Sequence, residues 1–490
     1  MSSTIEAPRK RSRRAPEPLA GVEMPWIRVA PDAPYFMDET GAPWTPVGYN
    51  DALTWPELGP LYRRKDVDAV DRHLAWLASN GITVLRLMLE CAHKGRYLEK
   101  PLGTFQPHMV RVWDDLIALC SRHGIRLLLT PYDTFWMWLR FKHHPISRHK
   151  GGPCAHQGQV LLCPDTRAAI KNRLTFMVER WGGSGTVFAW DLWNEIHPAQ
   201  VGDRADCVDV FNEFIHEVSE HVRSLETRLY GRAHPQTVSM FGPELRWRPD
   251  LPLADTVFRH PALDFATTHI YMEGSIDHPQ DTVACAIDTG RLVRQALREI
   301  GDMRPFLDTE HGPIHGFKDW RITLPEAFDD EYFRHMQWAH LASGAAGGGM
   351  RWPNRHPHIL TVGMRQAQGA MARFLDQMDW TAFRRRNLNE EIELRTAGLT
   401  VCASGDDAQA LVWLLRTDAL AEDGRVRQDA PPIAAGLRVP GLAPGRYSVV
   451  MWDTRRGMEA GRTEADAGED GLSLSDIPVT TDLALAIRRM

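Results

Sequence analysis

The sequence predicts an α/β fold, a (β/α)8 TIM barrel, followed by a small antiparallel β-sandwich. Eight short apolar runs alternate with stretches of helical spacing over most of the chain. Such alternation indicates parallel strands, and eight strand–helix units in one chain close into a barrel. The pattern changes past residue 380, which predicts the second domain. A doubly wound open sheet is the alternative architecture, but no glycine-rich phosphate loop follows the first barrel strand.

Composition narrows the classes of partner. The chain has 490 residues, enough for one large domain and a smaller one, and a net charge of −6. That charge gives no electrostatic reason to expect nucleic acid or an anionic membrane as partner. Seven scattered cysteines do not form a disulfide framework, and no run of 18 apolar residues predicts a membrane span.

The N-terminal residues 1–25 are predicted to be a disordered basic tail. They contain a twin arginine, but no apolar segment follows it as an export signal would require. We therefore expect a cytoplasmic location. The sequence predicts nothing about the oligomeric state.

The barrel is predicted to span residues 26–378 and to open with a hairpin. In "PYFMDETGAPWTPVGYN", two strands flank a turn at Glu39-Thr40-Gly41. The strands of the barrel follow as apolar runs that end in polar or aromatic residues. They are predicted at 46–50, 82–89, 125–131, 187–193, 237–242, 264–271, 305–310 and 345–352.

Helices are predicted between these strands from apolar residues that recur three and four positions apart. Val70, Leu74 and Leu77 share one face of a helix that ends before Gly81, and similar faces precede Gly124 and Gly182. A helix predicted at 328–343 leads into the last barrel strand.

The C-terminal domain is predicted at residues 379–490. Its runs "GLTVCAS", "ALVWLLRT", "GRYSVVMWDTRRG" and "DLALAIRR" are short, partly alternating and separated by turn residues, which is typical of an antiparallel β-sandwich. Trp413, Tyr447 and Trp452 alternate with apolar residues. That pattern favours a packing domain over a carbohydrate-binding module.

Two glutamates follow the fourth and seventh predicted strands, where a barrel places its active site. Glu195 comes after Asn194, and Glu310 ends the seventh strand. A retaining glycosidase needs such a pair about 5 Å apart, one as nucleophile and one as acid and later base. Arg86 and Tyr271 at hydrogen-bond reach would lower the nucleophile's pKa and fix its rotamer. Asn194 would bond the sugar 2-hydroxyl.

These segments resemble a known family. "WDLWNE" resembles the strand-four Asn-Glu signature of clan A glycoside hydrolases, and "FLDTEHG" resembles their strand-seven nucleophile segment. "HIY" of strand six, the arginine in "GITVLRLM", Trp352 and the entry hairpin fit the same pattern. The resemblance covers about residues 30 to 375. Glycoside hydrolase family 5, the cellulase and β-mannanase family, is the nearest.

The resemblance implies a role for each matching residue. Glu195 would be the acid/base, Glu310 the nucleophile and Asn194 the 2-hydroxyl contact. The residues implied to support the nucleophile are Arg86, His269 and Tyr271. Trp352 would form the floor of the site beneath the sugar that is cleaved. The sequence departs from the family at Thr83, where an asparagine is usual, and at "TPYD", where many members carry a histidine.

Other residues carry open interpretations. Trp136, beside Phe135 and Trp138, would form a sugar-stacking subsite or pack in a helix, and Asp133 stands at the end of strand three. Glu90 and Glu244 would either touch substrate or form loop salt bridges.

The histidines and cysteines of the 143–163 segment favour a loop over the cleft rather than a metal site, since structural zinc ligands prefer paired spacing.

The predicted function is hydrolysis of O-glycosidic bonds in β-linked oligo- or polysaccharides by double displacement, without a cofactor. Three alternatives remain open at this point. One is an exo-acting β-glycosidase or transglycosylase on small glycosides, the second a non-catalytic carbohydrate-binding barrel, and the third a metal-dependent barrel hydrolase. The sequence does not identify the sugar.

Overall fold

The computed structural model describes residues 19–63, 66–91, 97–314 and 323–490. Most of the predicted basic tail, residues 1–18, lies outside them. The described part begins with a three-stranded antiparallel sheet, β1 (Ile27–Val29), β2 (Phe36–Asp38) and β3 (Pro43–Trp44). The turn between β2 and β3 lies where the sequence predicts it, but β1 is an additional strand. Phe36 packs edge-on against Phe188 and Phe265, so this sheet covers the amino ends of the barrel strands.

Parallel strands form the barrel. They pair in the order β4-β5-β6-β7-β8 and β9-β10. Their bounds are β4 (Gly48–Asp51), β5 (Val84–Met88), β6 (Arg126–Thr130), β7 (Val187–Asp191), β8 (Gln236–Thr237), β9 (Ala266–Ile270) and β10 (Phe306–His311). A bridge between Phe241 and His269 joins the two groups, and Arg351 bridges Tyr49 and His311 on the other side. The ring therefore closes, and the predicted TIM-barrel core is confirmed.

The last predicted barrel strand, 345–352, is shorter than expected. Only Arg351 pairs as a strand residue there, although the Met350 amide also donates to the Asp308 carbonyl at 2.9 Å. The preceding segment is rich in glycine, and Gly349 has φ +75°. A Cβ at Gly349 would lie 2.9 Å from the His311 ring. The backbone must approach His311 closely here, which is incompatible with a regular strand.

Helices surround the ring. The bounds are α1 (Gly59–Tyr62), α2 (Val67–Ser79), α3 (Pro107–Arg122), α4 (Thr134–Leu139), α5 (Pro164–Trp181), α6 (Cys207–Tyr230), α7 (Gly242–Trp247), α8 (Ala284–Ile300), α9 (Glu326–Ala342) and α10 (Val362–Phe374). Side-chain caps define several beginnings: Asp66 accepts from the Ala69 amide in α2, and Thr361 accepts from the Met364 amide in α10. The short helices α4 and α7 follow β6 and β8 and reach the carboxyl ends of the strands, called the barrel mouth below.

The C-terminal strands form one nine-stranded antiparallel sheet rather than the two sheets of a sandwich. They are β11 (Arg386–Asn387), β12 (Glu393–Leu394), β13 (Leu399–Gly405), β14 (Gln409–Arg416), β15 (Ile433–Val439), β16 (Gly445–Asp453), β17 (Met458–Gly468), β18 (Gly471–Val479) and β19 (Asp482–Arg489). The order is β11-β13-β14-β19-β16-β17-β18-β15-β12. The sheet curls, so that side chains from β13 to β19 build one shared core. Curling buries one face without a second sheet.

The other face of the curled sheet packs on the barrel. Trp413 lies 5.7 Å from the His335 ring of α9, and Trp452 lies 5.7 Å from the Phe374 ring of α10. Both tryptophans are buried, as is Tyr447. The proposed border at residues 378/379 falls between α10 and β11 and stays a prediction. No helix in the described ranges is long and apolar enough to cross a membrane.

Asp482 anchors this contact. It is buried at the start of β19, accepts from Arg334 Nη2 at 3.0 Å and Trp413 Nε1 at 3.0 Å, and also accepts from the Thr454 hydroxyl. Burial alone would raise the pKa of Asp482, but Arg334, His335 and the hydrogen bonds more than offset it and lower the pKa to about 2. The carboxylate therefore stabilises the fold above about pH 4 and loses that contribution as the pH falls through about 2.

We predict that Asp482→Asn lowers the free energy of unfolding by about 3 kcal/mol at pH 7, since it leaves the Arg334 charge buried without its partner. Urea unfolding at pH 7 and pH 3 tests this, and the deficit should shrink at the lower pH. Asp466→Asn, an exposed site in β17, is the control. Equal stability of the two variants at pH 7 would contradict the assignment.

Candidate active site

The two predicted glutamates meet at the barrel mouth. Glu195 follows β7 and Glu310 lies in β10, and a carboxylate oxygen of each lies within 4.8 Å of the other and of a His269 ring nitrogen. Retaining glycosidases hold their carboxyl groups about 5 Å apart, whereas inverting enzymes separate them further to admit a water. The spacing therefore suits direct attack by one carboxylate.

Arg86 holds several strand ends together beneath the glutamates. It is fully buried in β5, and its Nη1 donates to Asn50 Oδ1 at 2.9 Å and Glu310 Oε2 at 3.2 Å. Its Nη2 donates to Asp191 Oδ2 at 2.7 Å and Asn194 Oδ1 at 2.5 Å. From the sequence we expected the Arg86 charge to act on Glu310. In the structure Asp191 shares that charge with Glu310.

Both carboxylate oxygens of Glu310 have donors. Oε2 accepts from Arg86, and Oε1 accepts from Tyr271 Oη at 2.8 Å. The pKa of Glu310 is nevertheless raised, because burial and the nearby charge of Glu195 outweigh His269, Arg86 and Tyr271. Arg86 and Tyr271 therefore contact Glu310 as expected, but the net shift of the Glu310 pKa is upward instead of downward.

Glu195 has the environment of an acid. Burial raises its pKa to about 7, with contributions from Asp191 and Glu244 in the same direction and from Arg86 and His197 in the opposite one. Its backbone has φ +52°, a left-handed conformation that is uncommon for residues with a Cβ and is concentrated at functional sites.

His269 contacts the other glutamate than the one predicted. Its Nδ1 lies 2.7 Å from Glu195 Oε1 and 3.8 Å from Glu310 Oε2. Burial lowers the pKa of His269 to about 4, so the ring is neutral near pH 7. A neutral imidazole orients the Glu195 carboxyl without ionising it.

Asp133 and Asn194 form a connected pair. Asn194 Nδ2 donates to Asp133 Oδ2, and Asp133 Oδ1 caps α4 by accepting from the Trp136 amide. Burial raises the pKa of Asp133 to about 8, and the charges of Glu195 and Glu310 contribute. Asp133 therefore holds the Asn194 side-chain amide in place and links it to the start of α4.

A buried aspartate that sequence reasoning missed lies two residues before Glu310 in β10. Asp308 Oδ1 accepts from the Ile270 amide at 3.1 Å and the Glu310 amide at 3.2 Å, at an irregularity in the pairing of β9 and β10. Its Oδ2 lies 3.0 Å from His311 Nδ1 and 2.8 Å from His340 Nε2. Such irregularities re-aim side chains at active sites. The available signal was an acidic residue within an apolar strand.

A cavity of about 290 Å³ opens above the glutamates. Aromatic walls with a few polar groups suit a sugar, whose ring has apolar faces and hydroxyl edges. The aromatic lining is Phe135, Trp136, Trp138, Phe241, Tyr271 and Trp352, and the polar lining includes Asp133, Asn194, Glu195, His197, Glu244 and Glu310. Trp352 also packs edge-on against Trp55, 4.9 Å away.

The two glutamates with open interpretations, Glu90 and Glu244, have different surroundings. Glu90 pairs with Arg173 and His144 and does not line the cavity, whereas Glu244 lines the cavity and pairs with His197.

Within the described ranges, three clusters of side chains lie close enough together to hold a metal ion: Asp308–His311–His340, Asp51–Glu57–His73 and Glu195–His269–Glu310. The 143–163 segment contributes a residue to none of these three clusters. Residues 315–322, in the segment between β10 and α9, lie outside the described residues.

Comparisons with known proteins point to one group. No family model matches the chain. The chain is 26% identical over 226 residues to mannan endo-1,4-β-mannosidase 2 of Arabidopsis thaliana, a match covering 40% of this chain and 48% of that protein. It is 22% identical over 307 residues to mannan endo-1,4-β-mannosidase 2 of Oryza sativa subsp. japonica, covering 56% and 65%. The chain thus spans about half to two thirds of the length of these curated relatives.

Solved structures share the fold over nearly the whole chain. A glycoside hydrolase family 5 protein from Bacteroides vulgatus superposes with a TM-score of 0.62 at 12% identity, covering 96% of this chain and 95% of that one. Another glycoside hydrolase gives a TM-score of 0.58 at 12% identity, covering 95% and 97%. The predicted resemblance to clan A glycoside hydrolases, and to family 5 in particular, is confirmed by these relatives and neighbours.

We predict that Glu195→Gln stabilises the protein increasingly as the pH rises. A carboxyl whose pKa is raised from 4.5 to about 7 on folding loses stability as the pH rises through that window, by up to about 3 kcal/mol, and glutamine does not ionise. The difference in unfolding free energy between variant and wild type should grow by about 2 kcal/mol from pH 5 to pH 8.

Urea unfolding at the two pH values measures this difference. Glu273→Gln, an exposed glutamate on the loop after β9, is the control and should show no such growth. A difference that does not change with pH would show that the folded-state pKa of Glu195 is ordinary.

Proposed function

We propose that this chain is a retaining β-glycoside hydrolase that cleaves β-1,4-mannosidic bonds in manno-oligosaccharides or mannan. The observation that carries the proposal is the pair Glu195 and Glu310, held within 4.8 Å at the ends of β7 and β10. The choice of mannose follows the names of the sequence relatives, which are mannan endo-1,4-β-mannosidases.

In the first step Glu310 attacks the anomeric carbon and Glu195 protonates the departing glycosidic oxygen. The covalent bond to Glu310 replaces the broken glycosidic bond. In the second step Glu195 takes a proton from water, which attacks the same carbon and releases Glu310. Two inversions retain the β configuration. Only the two carboxyl groups and water take part.

The contacts described above support these roles. Below about pH 7 Glu195 carries the proton that the first step consumes. Glu310 is aimed by donors at both of its oxygens, so that one rotamer is favoured. Negative charge leaves Glu310 as the bond forms, which relieves its repulsion with the other carboxylates of the mouth.

The neighbouring residues fit the glycone, the sugar whose anomeric carbon is attacked. Asn194 uses one N–H for Asp133 and has a second one for the 2-hydroxyl. Trp352 offers an indole face in the cavity wall, held by Trp55. In this proposal the Asp133–Asn194 pair and Trp136 also contact the glycone.

We expect azide to identify the two glutamates by stereochemistry. With 2,4-dinitrophenyl β-mannoside, whose leaving group needs no proton, Glu195→Ala should still form the covalent intermediate, and azide should release it as the β-mannosyl azide. Glu310→Ala should form no intermediate, and azide should give the α-mannosyl azide. With mannotriose, Glu195→Ala should lose about 100- to 10,000-fold in kcat.

The control variant is Glu273→Gln. The matching dinitrophenyl β-glucoside and β-galactoside test which sugar the site accepts. Product anomers are assigned by proton NMR. Retained configuration with azide in Glu310→Ala would assign the roles the other way round. Failure of wild type to cleave any of the glycosides would overturn the hydrolase and favour a carbohydrate-binding barrel.

The pH dependence follows from the same acid. We expect kcat/KM of wild type for mannotriose to fall as the pH rises through about 7, because Glu195 loses its proton there. For the dinitrophenyl mannoside, which needs no protonation, this alkaline fall should be much weaker. Equal alkaline limbs for the two substrates would contradict Glu195 as the acid.

A further inference from the structure

The strand that carries the proposed nucleophile is irregular directly before it. Asp308 of β10 pairs with Thr268 of β9. Glu310 pairs with the next residue of β9, His269, so the pairing skips Thr309. An extra residue of this kind bends a strand and re-aims the side chains beside it. The direction of the Glu310 side chain therefore depends on what fixes the backbone around Thr309.

Asp308 joins the two strands across this irregularity. Its Oδ1 accepts a hydrogen bond from the Glu310 amide of β10 at 3.2 Å and from the Ile270 amide of β9 at 3.1 Å. Hydrogen bonds to a carboxylate are about twice as strong as those between neutral groups. The Asp308 carboxylate therefore fixes the Glu310 backbone against the strand that leads to Tyr271, the donor to Glu310 Oε1.

Two histidines hold the other oxygen of Asp308. Oδ2 lies 3.0 Å from His311 Nδ1 and 2.8 Å from His340 Nε2. His340 belongs to α9, and its Nδ1 lies 2.7 Å from the Met336 carbonyl oxygen. Both ring nitrogens of His340 thus have an oxygen at close range. A hydrogen on each nitrogen suits both oxygens and makes His340 the positive partner of Asp308.

This cluster is closed off from water. Asp308, His311 and His340 are each 0% exposed, and Asp308 is not among the residues that line the described cavity. Burial alone would raise the pKa of Asp308, but His311 and His340 more than offset it and hold the pKa well below its usual range. Asp308 therefore keeps its charge, and with it the two backbone contacts, over the whole working range of pH.

The surrounding backbone is shaped around the two rings. The His311 and His340 rings stack with centroids 5.1 Å apart. A Cβ at Gly349 would lie 2.9 Å from the His311 ring and 3.0 Å from the His340 ring. Neither histidine takes part in the double displacement, so close packing around them calls for a role that acts through Asp308.

We propose that Asp308, held by His340, is a positioning residue for the nucleophile, and that it fixes the irregular backbone so that the Glu310 carboxylate points at the anomeric carbon. The inference rests on the proposed hydrolase activity and deepens it. Asp308 touches neither the substrate nor the reacting atoms. Its loss should therefore slow every reaction that needs attack by Glu310, whichever leaving group departs, and should leave the binding of the sugar intact.

Two variants of Asp308 test the acceptor oxygen. We expect Asp308→Ala to lower kcat/KM for 2,4-dinitrophenyl β-mannoside about 100-fold, since a displacement of a reacting group by about 1 Å costs that much. Asp308→Asn keeps an oxygen for the two amides, and its rate should stay within about tenfold of wild type. With mannotriose, the loss in Asp308→Ala should appear in kcat, and KM should change by less than about threefold.

The leaving group separates this role from an effect on the acid. Phenyl β-mannoside needs the proton of Glu195, whereas the dinitrophenyl mannoside does not. Below pH 6, where Glu195 holds its proton, Asp308→Ala should slow both substrates by about the same factor, because both need Glu310. His340→Gln should slow both in the same direction by about tenfold, and it carries the test if Asp308→Ala does not fold.

A control variant separates positioning from stability. Asp482 is also a buried carboxylate with arginine and histidine neighbours, but it lies in the C-terminal sheet. Asp482→Asn should lose stability in urea and keep its kcat/KM for both aryl mannosides at a temperature where the variant is folded. The Asp308 variants are compared with it at that temperature.

Each contrary outcome has a distinct signature. Wild-type rates in Asp308→Ala, or equal losses in Asp308→Asn and Asp308→Ala, would overturn the positioning role. A loss confined to phenyl β-mannoside would place the effect on Glu195 and would also overturn it. One equivalent of a divalent metal in wild type, absent from Asp308→Ala, would assign the cluster to a metal instead. Failure of wild type to cleave either aryl mannoside would overturn the proposed hydrolase, and the positioning role with it.

Discussion

The structure of the barrel mouth depends on one buried cation. The Arg86 guanidinium is out of contact with water and bonds to side chains from β4, β7 and β10 and to Asn194. An unpaired guanidinium in this position would cost several kcal/mol, so its carboxylate partners are obligatory. Because each partner sits on a different strand, satisfying the charge also sets the relative positions of the strand ends.

That constraint explains why the two glutamates differ. Asp191 shares the charge of Arg86, so the cation does not fully compensate Glu310. With Asp133 buried and Glu195 largely buried nearby, the mouth cannot ionise all its carboxyl groups without cost. The pKa of Glu195 rises to about 7 and that of Asp133 to about 8. Protons therefore stay on the groups that lack direct cation contacts. Glu310, which accepts hydrogen bonds from Arg86 and Tyr271, is the carboxyl group best placed to stay ionised.

Support for the mouth extends to the curled C-terminal sheet. That sheet packs on α9 and α10 and places Asp482 on Arg334 of α9. The same helix supplies Asp329, whose carboxylate accepts from Arg351 at 2.7 Å, and Arg351 closes the ring between β10 and β4. The C-terminal sheet thereby buttresses the side of the barrel that carries Glu310 and Trp352. The C-terminal sheet therefore has a structural role that does not require it to bind carbohydrate.

The sequence by itself determined the alternation of strands and helices and the chemical groups that follow each strand, because periodicity and turn residues are local. It therefore placed Glu195, Glu310, Arg86 and Tyr271 at one end of a barrel. Only the tertiary structure decided that His269 contacts Glu195, that Arg351 bridges β4 and β10 and that nine strands form a single curled sheet. It also decided the pairing of His197 with Glu244. These features depend on register, side-chain direction and burial among residues far apart in the chain, which no local pattern encodes.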